Sequence, residues 1–306
     1  MSTKHFAALM EYIDQRHPRS LRGIEEARAA APGRFDDIAA MYLDWLVSAR
    51  GPQGIKLAAD AFVQFSTDVN MAQARYEAES SYQHKSFAEV YADHYSQNET
   101  MSGYLWGIYL TNFLWAHHTQ ICLFFRDTFL SRLSDSAQLV EIAPGHGGWG
   151  AWALNVLPKA QLTGFDISPQ SMEIANSVAK AAGVADRAKY TERDALDLAQ
   201  MPAASADGVI CSFLVEHLEQ PEKLFAVISH LLKPRGFGFV TGALTAAQVD
   251  HIYEFRYESE LVKMCEDHGL RVLATLSANP ARTLPKARYM PRSMALLVQK
   301  RINDIY

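Results

Sequence analysis

The chain has 306 residues, 49% hydrophobic and 21% charged, which suits one large core or a core domain with a smaller partner. Its net charge is -5 and no basic cluster stands out, which argues against nucleic-acid binding. The three cysteines, Cys122, Cys211 and Cys265, are far apart among apolar neighbours, which indicates buried free thiols rather than a zinc site or disulfides.

The region before residue 130 carries helix signals and almost no strand signals. Apolar residues recur at three- and four-residue spacing in stretches such as RFDDIAAMYLDWLVSAR and GIKLAADAFVQF. The charged N-terminus lacks the apolar core of a signal peptide, so we expect a cytoplasmic protein. Residues 104–125 contain no Asp, Glu, Lys or Arg but include Asn112, His117, His118 and Gln120, so we predict a buried helix rather than a membrane span.

Aromatic residues are concentrated between Tyr76 and Trp115. Helical spacing places Phe87, Tyr91 and Tyr95 on one face, and a second face carries Trp106, Tyr109 and Phe113. Such faces attract a cation by cation–π contact, or they form a core or a dimer interface, so a homodimer is one open alternative.

After residue 137, short β-rich runs alternate with helical stretches. The runs are QLVEIA, QLTGFDI, AKYTERD, DGVICSF, GFGFVTGAL, GLRVLATLS and SMALLVQKR. This alternation predicts an α/β fold with a seven-stranded, mostly parallel, Rossmann-like sheet. The last two runs are joined by a proline-containing loop, which predicts a terminal antiparallel hairpin. We therefore divide the chain into a helical cap or lid and substrate region, 1–129, and a nucleotide-binding domain, 130–306.

A glycine-rich turn follows the first strand in the stretch EIAPGHGG. Gly145 and Gly147 allow positive φ and a close approach of the backbone to a ligand at the N-terminus of the next helix. Ala143 stands where a dinucleotide site would have its first glycine, and Glu141 precedes it. Because a carboxylate repels phosphate and attracts an ammonium group, the turn favours a ligand with a cationic amino-acid part.

Polar residues also follow the next strands of the predicted sheet. Asp166 and Ile167 end the second run, where an acid binds ribose hydroxyls in this layout. Asp194 ends the third run and Ala195 follows it, at a place where an acid accepts from an adenine amino group and an apolar neighbour packs on the ring. Ser212 lies near the end of the fourth run, next to Phe213. Local roles for the two aspartates, in a helix cap or a turn, remain open.

Together these motifs resemble the class I S-adenosylmethionine-dependent methyltransferases, from about residue 130 to the end. The resemblance rests on Glu141-x-x-x-Gly145-x-Gly147, Asp166, Asp194 and the stretch 212–217. It implies S-adenosylmethionine (SAM) as cofactor, held by Glu141, Ala143, Gly145, Gly147, Asp166, Ile167, Asp194, Ala195 and Ser212. A helical lid in front of the sheet is common in that family.

The candidate catalytic residues are Glu216 and His217, which follow the fourth strand, and Tyr91 on the aromatic face. Histidine has a suitable pKa for proton transfer near neutral pH, and His94, His117, His118 and His146 are further base candidates. The pair His117–His118 lacks further ligands at a clear spacing, so we expect no metal site.

The resemblance and the aromatic helical region lead us to expect a SAM-dependent methyltransferase that acts on a small apolar or amphipathic molecule, in secondary metabolism. An alternative function also consumes SAM, but it forms a bond within SAM instead of transferring the methyl group to an acceptor. The long aromatic region resembles stand-alone enzymes of nonribosomal-peptide clusters such as azetidine-2-carboxylate synthases, which cyclise SAM itself and release methylthioadenosine. A non-catalytic binding protein on the same fold is a third alternative.

Overall fold

The computed structural model describes residues 2–92, 98–281 and 286–302. Its N-terminal part is helical, as the three- and four-residue apolar spacing predicts. The helices are α1 (Ser2–Arg16), α2 (Leu21–Ala30), α3 (Phe35–Arg50), α4 (Gly54–Glu79), α5 (Phe87–Val90), α6 (Asn98–Leu114) and α7 (Ala116–Phe124). A π-helical turn (Phe125–Phe129) and a short 3-10 turn (Leu130–Arg132) lead into the first strand.

The C-terminal part alternates strands and helices. The strands are β1 (Gln138–Ile142), β2 (Gln161–Asp166), β3 (Ala188–Glu192), β4 (Ala206–Cys211), β5 (Leu232–Leu244), β6 (Leu270–Ala278) and β7 (Arg292–Lys300). The helices are α8 (Gly148–Val156), α9 (Pro169–Ala181), α10 (Pro221–Leu231) and α11 (Glu258–Asp267). Each strand corresponds to one predicted run.

The seven strands form one sheet in the order β3-β2-β1-β4-β5-β7-β6. Strands β1 to β5 pair in parallel, and β7 is antiparallel to both β5 and β6. The predicted Rossmann-like sheet and its terminal antiparallel hairpin are therefore confirmed. Because the order reverses next to β1, a crevice opens at the carboxyl ends of β1 and β4, where ligands bind in open sheets of this kind.

The charge-free segment 104–125 forms parts of two helices rather than one. The helical conformation is interrupted at Trp115, whose backbone is extended at φ -106° and ψ 125°. Both helices contribute buried side chains to the core. None of the helices in the described residues is long and apolar enough to cross a membrane.

One hydrophobic core joins the helical part to the sheet. Tyr42 of α3 packs edge-on against Trp152 of α8, with ring centroids 6.2 Å apart. Phe125 packs in the same way against Phe239 of β5, at 4.8 Å. A second core lies on the other face of the sheet, beneath α10 and α11. The helices thus cover one face of the sheet and reach its carboxyl edge, which positions them as a wall of the site. The division at residue 130 remains a prediction.

Candidate active site

A cavity of about 620 Å³ lies between the carboxyl ends of the central strands and the helical region. Its floor comes from residues that follow β1, β2, β4 and β5, and its wall comes from α4, α6 and the start of α7. This volume is in the range of small-molecule sites, which are typically about 300–1,000 Å³. The crevice between β1 and β4, where the strand order reverses, therefore opens into a cavity large enough for a small molecule.

The turn after β1 has an unusual backbone. Ala143, Gly145 and Gly147 have φ values of 52°, 54° and 70°, all in the left-handed region. Ala143 and Gly145 line the cavity. Gly147 does not; a Cβ there would lie 2.7 Å from Cα and Cβ of Ala175, so this glycine allows α8 and α9 to pack closely. The two predicted glycines therefore differ in role, and Ala143 occupies a conformation that favours glycine.

His146 and Trp149 both line the cavity and also hold the turn in place. Nδ1 of His146 accepts a hydrogen bond from the Gly148 amide at 2.9 Å. Burial lowers the pKa of His146 to about 4, so its ring is neutral near pH 7. Trp149 packs edge-on against Phe125 at 5.0 Å. The two side chains thus shape the cavity and anchor the turn against the core.

Asp166 is the last residue of β2, and it lines the cavity. One carboxylate oxygen accepts from the Gly145 amide at 3.1 Å and the other from the Ser168 amide at 2.9 Å. Burial raises its pKa to about 6, against the effect of those hydrogen bonds. Ser168, not Asp166, caps α9, since its hydroxyl accepts from the Ser171 amide. Ile167 is 37% exposed and also lines the cavity, which brings an acid and an apolar side chain together.

The turn after β4 is held by a neighbouring strand. Ser212 lines the cavity, and its hydroxyl lies 3.2 Å from the hydroxyl of Thr241 in β5. The Thr241 hydroxyl also accepts from the Phe213 amide at 2.8 Å, and Phe213 has a φ of 51°. A fixed, strained backbone at a ligand crevice is common in functional sites.

Glu141 lies behind the turn and is not one of the residues that line the cavity, so its predicted contact with an ammonium group remains a prediction. Its side chain points to the face of β1 that α8 covers, and Oε1 accepts from the Gly150 amide at 3.1 Å. Burial raises the pKa of Glu141 to about 8. In this position the carboxyl braces the first turn of α8 and does not line the cavity.

Asp194 and Ala195 do not line the cavity in the described structure. Asp194 is exposed, and its carboxylate accepts from the Leu196 amide at 2.7 Å, at the start of a 3-10 turn (Leu196–Gln200). Ala195 packs on the second core. This hydrogen bond gives Asp194 a local role in a turn, which is one of the alternatives that the sequence left open. Its contact with adenine remains a prediction.

Glu216 and His217 line the cavity in a 3-10 turn (Val215–His217), as their place after β4 suggests. Beside them lies His251, which sequence reasoning missed, with ring centroids 4.9 Å from His217. Asp250 adds a carboxylate 3.6 Å from Nδ1 of His217. The sequence offered one signal for His251, because the pair Asp250–His251 begins six residues beyond the end of β5. The chain returns there to the same edge of the sheet.

Tyr91 is not brought to the cavity. It is 44% exposed, and its ring packs against Phe87, which does line the cavity, at 5.8 Å. Phe87 and Tyr91 thus lie on one face as predicted, whereas Tyr95 and His94 lie outside the described residues.

Other aromatic and histidine residues divide between core and cavity. Trp106, Tyr109 and Phe113 are buried in the core, whereas Tyr104 and Trp115 line the cavity. His117 and His118 also line it, and burial lowers the pKa of both, that of His117 to about 3. The cavity wall is therefore aromatic and largely neutral.

Residues 139–236 match a family model described as "Methyltransferase domain". Among curated relatives, a ubiquinone biosynthesis O-methyltransferase of Leptothrix cholodnii is 31% identical over 130 residues, covering 36% of this chain and 55% of that protein. An uncharacterized protein of Synechococcus sp. is 27% identical over 119 residues, covering 38% of this chain and 28% of that protein. The matches therefore span about half or less of these relatives.

A solved structure of an O-methyltransferase family protein from Burkholderia thailandensis superposes with a TM-score of 0.57 at 13% identity. The match covers 83% of this chain and 74% of that chain, and at this identity it shows a shared fold. The comparisons therefore confirm a methyltransferase domain over residues 139–236 and the fold of the O-methyltransferase family structure.

Proposed function

We propose that the protein is a SAM-dependent methyltransferase that acts on a small molecule, in secondary metabolism. The observation that carries this proposal is the convergence of three strand ends on one cavity: the turn at Gly145, the acid Asp166 and the turn at Ser212. The family match and the fold support it.

The residues around the crevice fit SAM. The Asp166 carboxylate is positioned to accept from ribose hydroxyls, and the exposed side chain of Ile167 offers an apolar surface for a base. Ala143 has only a methyl group and Gly145 has no side chain, so the amino-acid part could approach the backbone of this turn closely. When bound, SAM supplies an electrophilic methyl group on a sulfonium.

The wall opposite the turn fits an apolar or amphipathic acceptor. Phe65, Tyr104 and Trp115 line it, together with neutral, buried histidines. Aromatic faces stabilise a sulfonium by cation–π attraction, and an apolar wall excludes water from the reacting atoms. The chain's main contribution would then be to hold the acceptor atom in line with the methyl group.

The test is to identify the nucleoside product. Purified protein is incubated with SAM alone and with panels of small acceptors, and the products are separated by liquid chromatography. S-adenosylhomocysteine that forms only with an acceptor supports methyl transfer. Methylthioadenosine from SAM alone supports the cyclase alternative, and failure to bind either nucleoside contradicts both enzyme functions.

A further inference from the structure

Three side chains with metal-binding groups meet at one point of the cavity surface. Glu216 and His217 lie in the turn after β4, and His251 comes from the segment after β5. A carboxylate oxygen and one nitrogen of each imidazole all lie within 4.8 Å of one another. Glu216 is fully buried, His251 is 1% exposed, and all three residues line the cavity.

The buried carboxylate of Glu216 is the main evidence for a bound ligand at this point of the cavity. Both of its oxygens are buried, and neither forms a hydrogen bond of good geometry among the described residues, although the main-chain amides of Glu216 and Ala243 lie close to it. The amides of Ile252 and Tyr253 donate to the main-chain carbonyl of Glu216 and not to its side chain. A buried carboxylate without partners is unfavourable, and proteins pair such groups or use them to bind metals.

Both histidines are oriented by backbone carbonyl groups. Nδ1 of His251 donates to the carbonyl oxygen of Ala246 at 2.7 Å, and Nδ1 of His217 donates to that of Asp250 at 3.1 Å. In the neutral ring these bonds place the lone pair on Nε2. Metal-binding histidines use this arrangement, in which one nitrogen donates to a carbonyl or carboxylate and the other binds the ion.

The charge around the cluster also favours a cation. Asp250 is 1% exposed, and its carboxylate accepts from the Tyr104 hydroxyl at 2.8 Å. Among the described residues that line the cavity, Arg19 is the one Lys or Arg side chain. Histidines lie beside both buried acids: Nδ1 of His217 is 3.6 Å from the Asp250 carboxylate, and the rings of His217 and His251 lie close to the Glu216 carboxylate.

We propose that Glu216, His217 and His251 bind one divalent first-row transition-metal ion, with coordination positions left open towards the cavity. Two imidazoles and one carboxylate form the donor set of non-haem iron sites and also suit zinc. Donors that share an ion at about 2.1 Å lie about 3–4 Å apart, so small side-chain rotations bring the three atoms into range.

The open positions would take oxygen atoms of the acceptor molecule. A bound divalent ion lowers the pKa of a coordinated hydroxyl or enol and so prepares it as a nucleophile. This role rests on the proposed methyl transfer. Ion binding itself does not, because it is measured without SAM.

The experiment titrates the full chain, first stripped with a chelator, with CoCl₂ and follows the visible d–d absorption of Co²⁺. We expect one Co²⁺ per chain and displacement by Zn²⁺. Glu216→Gln and His251→Gln should each weaken Co²⁺ binding by about 100-fold or more, since each removes a ligand. The matched control is His230→Gln in α10, whose ring bonds the Met201 carbonyl, and it should bind Co²⁺ like the wild type.

Crystals of the wild type soaked in CoCl₂ provide a measurement that does not depend on the folding of a variant. We expect an anomalous peak among the three donor groups. Substoichiometric binding, a peak elsewhere, or wild-type affinity in both ligand variants would overturn the site. SAM binding, measured separately by calorimetry, reports on the proposed function whether or not the ion binds.

Discussion

The two ends of the cavity are built in different ways. At the end formed by β1 and β2, main-chain amides and two short motifs, 143–147 and 166–168, make the surface. At the end formed by β4 and β5, buried ionisable side chains make it, and Glu216 and His251 are 35 residues apart in sequence. Local turns therefore build one end of the cavity, whereas the other end depends on contacts between segments that are distant in sequence.

The largest loss of stability should come from a substitution that prevents the close packing of Gly147, in the glycine turn, against Ala175 of α9. Gly147→Ala adds a Cβ 2.7 Å from Ala175 at a φ of 70°, so it combines overpacking with backbone strain. We expect a loss of about 3 kcal/mol in the free energy of unfolding, measured by urea denaturation. The matched control is Gly183→Ala, at φ 71° with nothing within 4 Å. Equal losses in the two variants would show that the α8–α9 approach does not matter.

The next prediction concerns the acid behind the turn. The pKa of Glu141 is raised by burial to about 8 in the folded chain, so folding favours its protonated form. Its contribution to stability is therefore fully present below the unfolded pKa near 4.5 and is lost as pH rises towards 8. Relative to Glu141→Gln, the wild type should lose about 1.4 kcal/mol per pH unit between pH 5.5 and 7.5.

Urea denaturation at several pH values measures this difference. Glu173→Gln, on the exposed face of α9, is the control and should follow the wild type at every pH. A constant gap between wild type and Glu141→Gln would mean that Glu141 is ionised in the folded chain.

A smaller effect should separate the two predicted cofactor acids. Asp166→Asn should weaken SAM binding about tenfold, because it removes a charged acceptor from the cavity. Asp194→Asn should change it less than about threefold, since Asp194 is exposed and bonded locally. Isothermal titration calorimetry measures both, and equal losses would place Asp194 in the bound site after all.

The affinity of the wild type for SAM should also fall as pH falls through about 6. The reason is that the pKa of Asp166 is about 6, and a protonated carboxyl is a weaker acceptor for ribose hydroxyls than a carboxylate. Asp166→Asn should lose this dependence. A wild-type affinity that is flat between pH 5 and 7 would contradict the role of Asp166.

The smallest effect should come from Ala143→Gly. Ala143 has a φ of 52°, so glycine relieves strain there, although it also loosens the unfolded chain. We expect a gain of about 0.5–1 kcal/mol in the free energy of unfolding, with little change in SAM affinity. A loss of stability in urea denaturation would show that the alanine methyl group makes packing contacts that outweigh the strain.

The parts predicted from sequence are those encoded by local patterns. Strand alternation gave the sheet and its terminal hairpin, and the spacing of Gly145 and Asp166 placed two parts of the cavity. The orientation of Glu141 was missed because only the packing of α8 on β1 shows where its side chain is buried. His251 was missed because its proximity to Glu216 depends on how the segment after β5 folds back. The expectation of no metal site rests on spacing in sequence and stays a prediction, whereas the cluster of Glu216, His217 and His251 depends on contacts between distant segments.

The most direct test of the two-ended cavity is a crystal structure of the protein with S-adenosylhomocysteine. We predict that the ribose contacts Asp166, the base packs on Ile167, and the sulfur faces the cavity end formed by Glu216, His217 and His251. A nucleoside bound outside this cavity, or with its sulfur turned away from those side chains, would contradict the assignment.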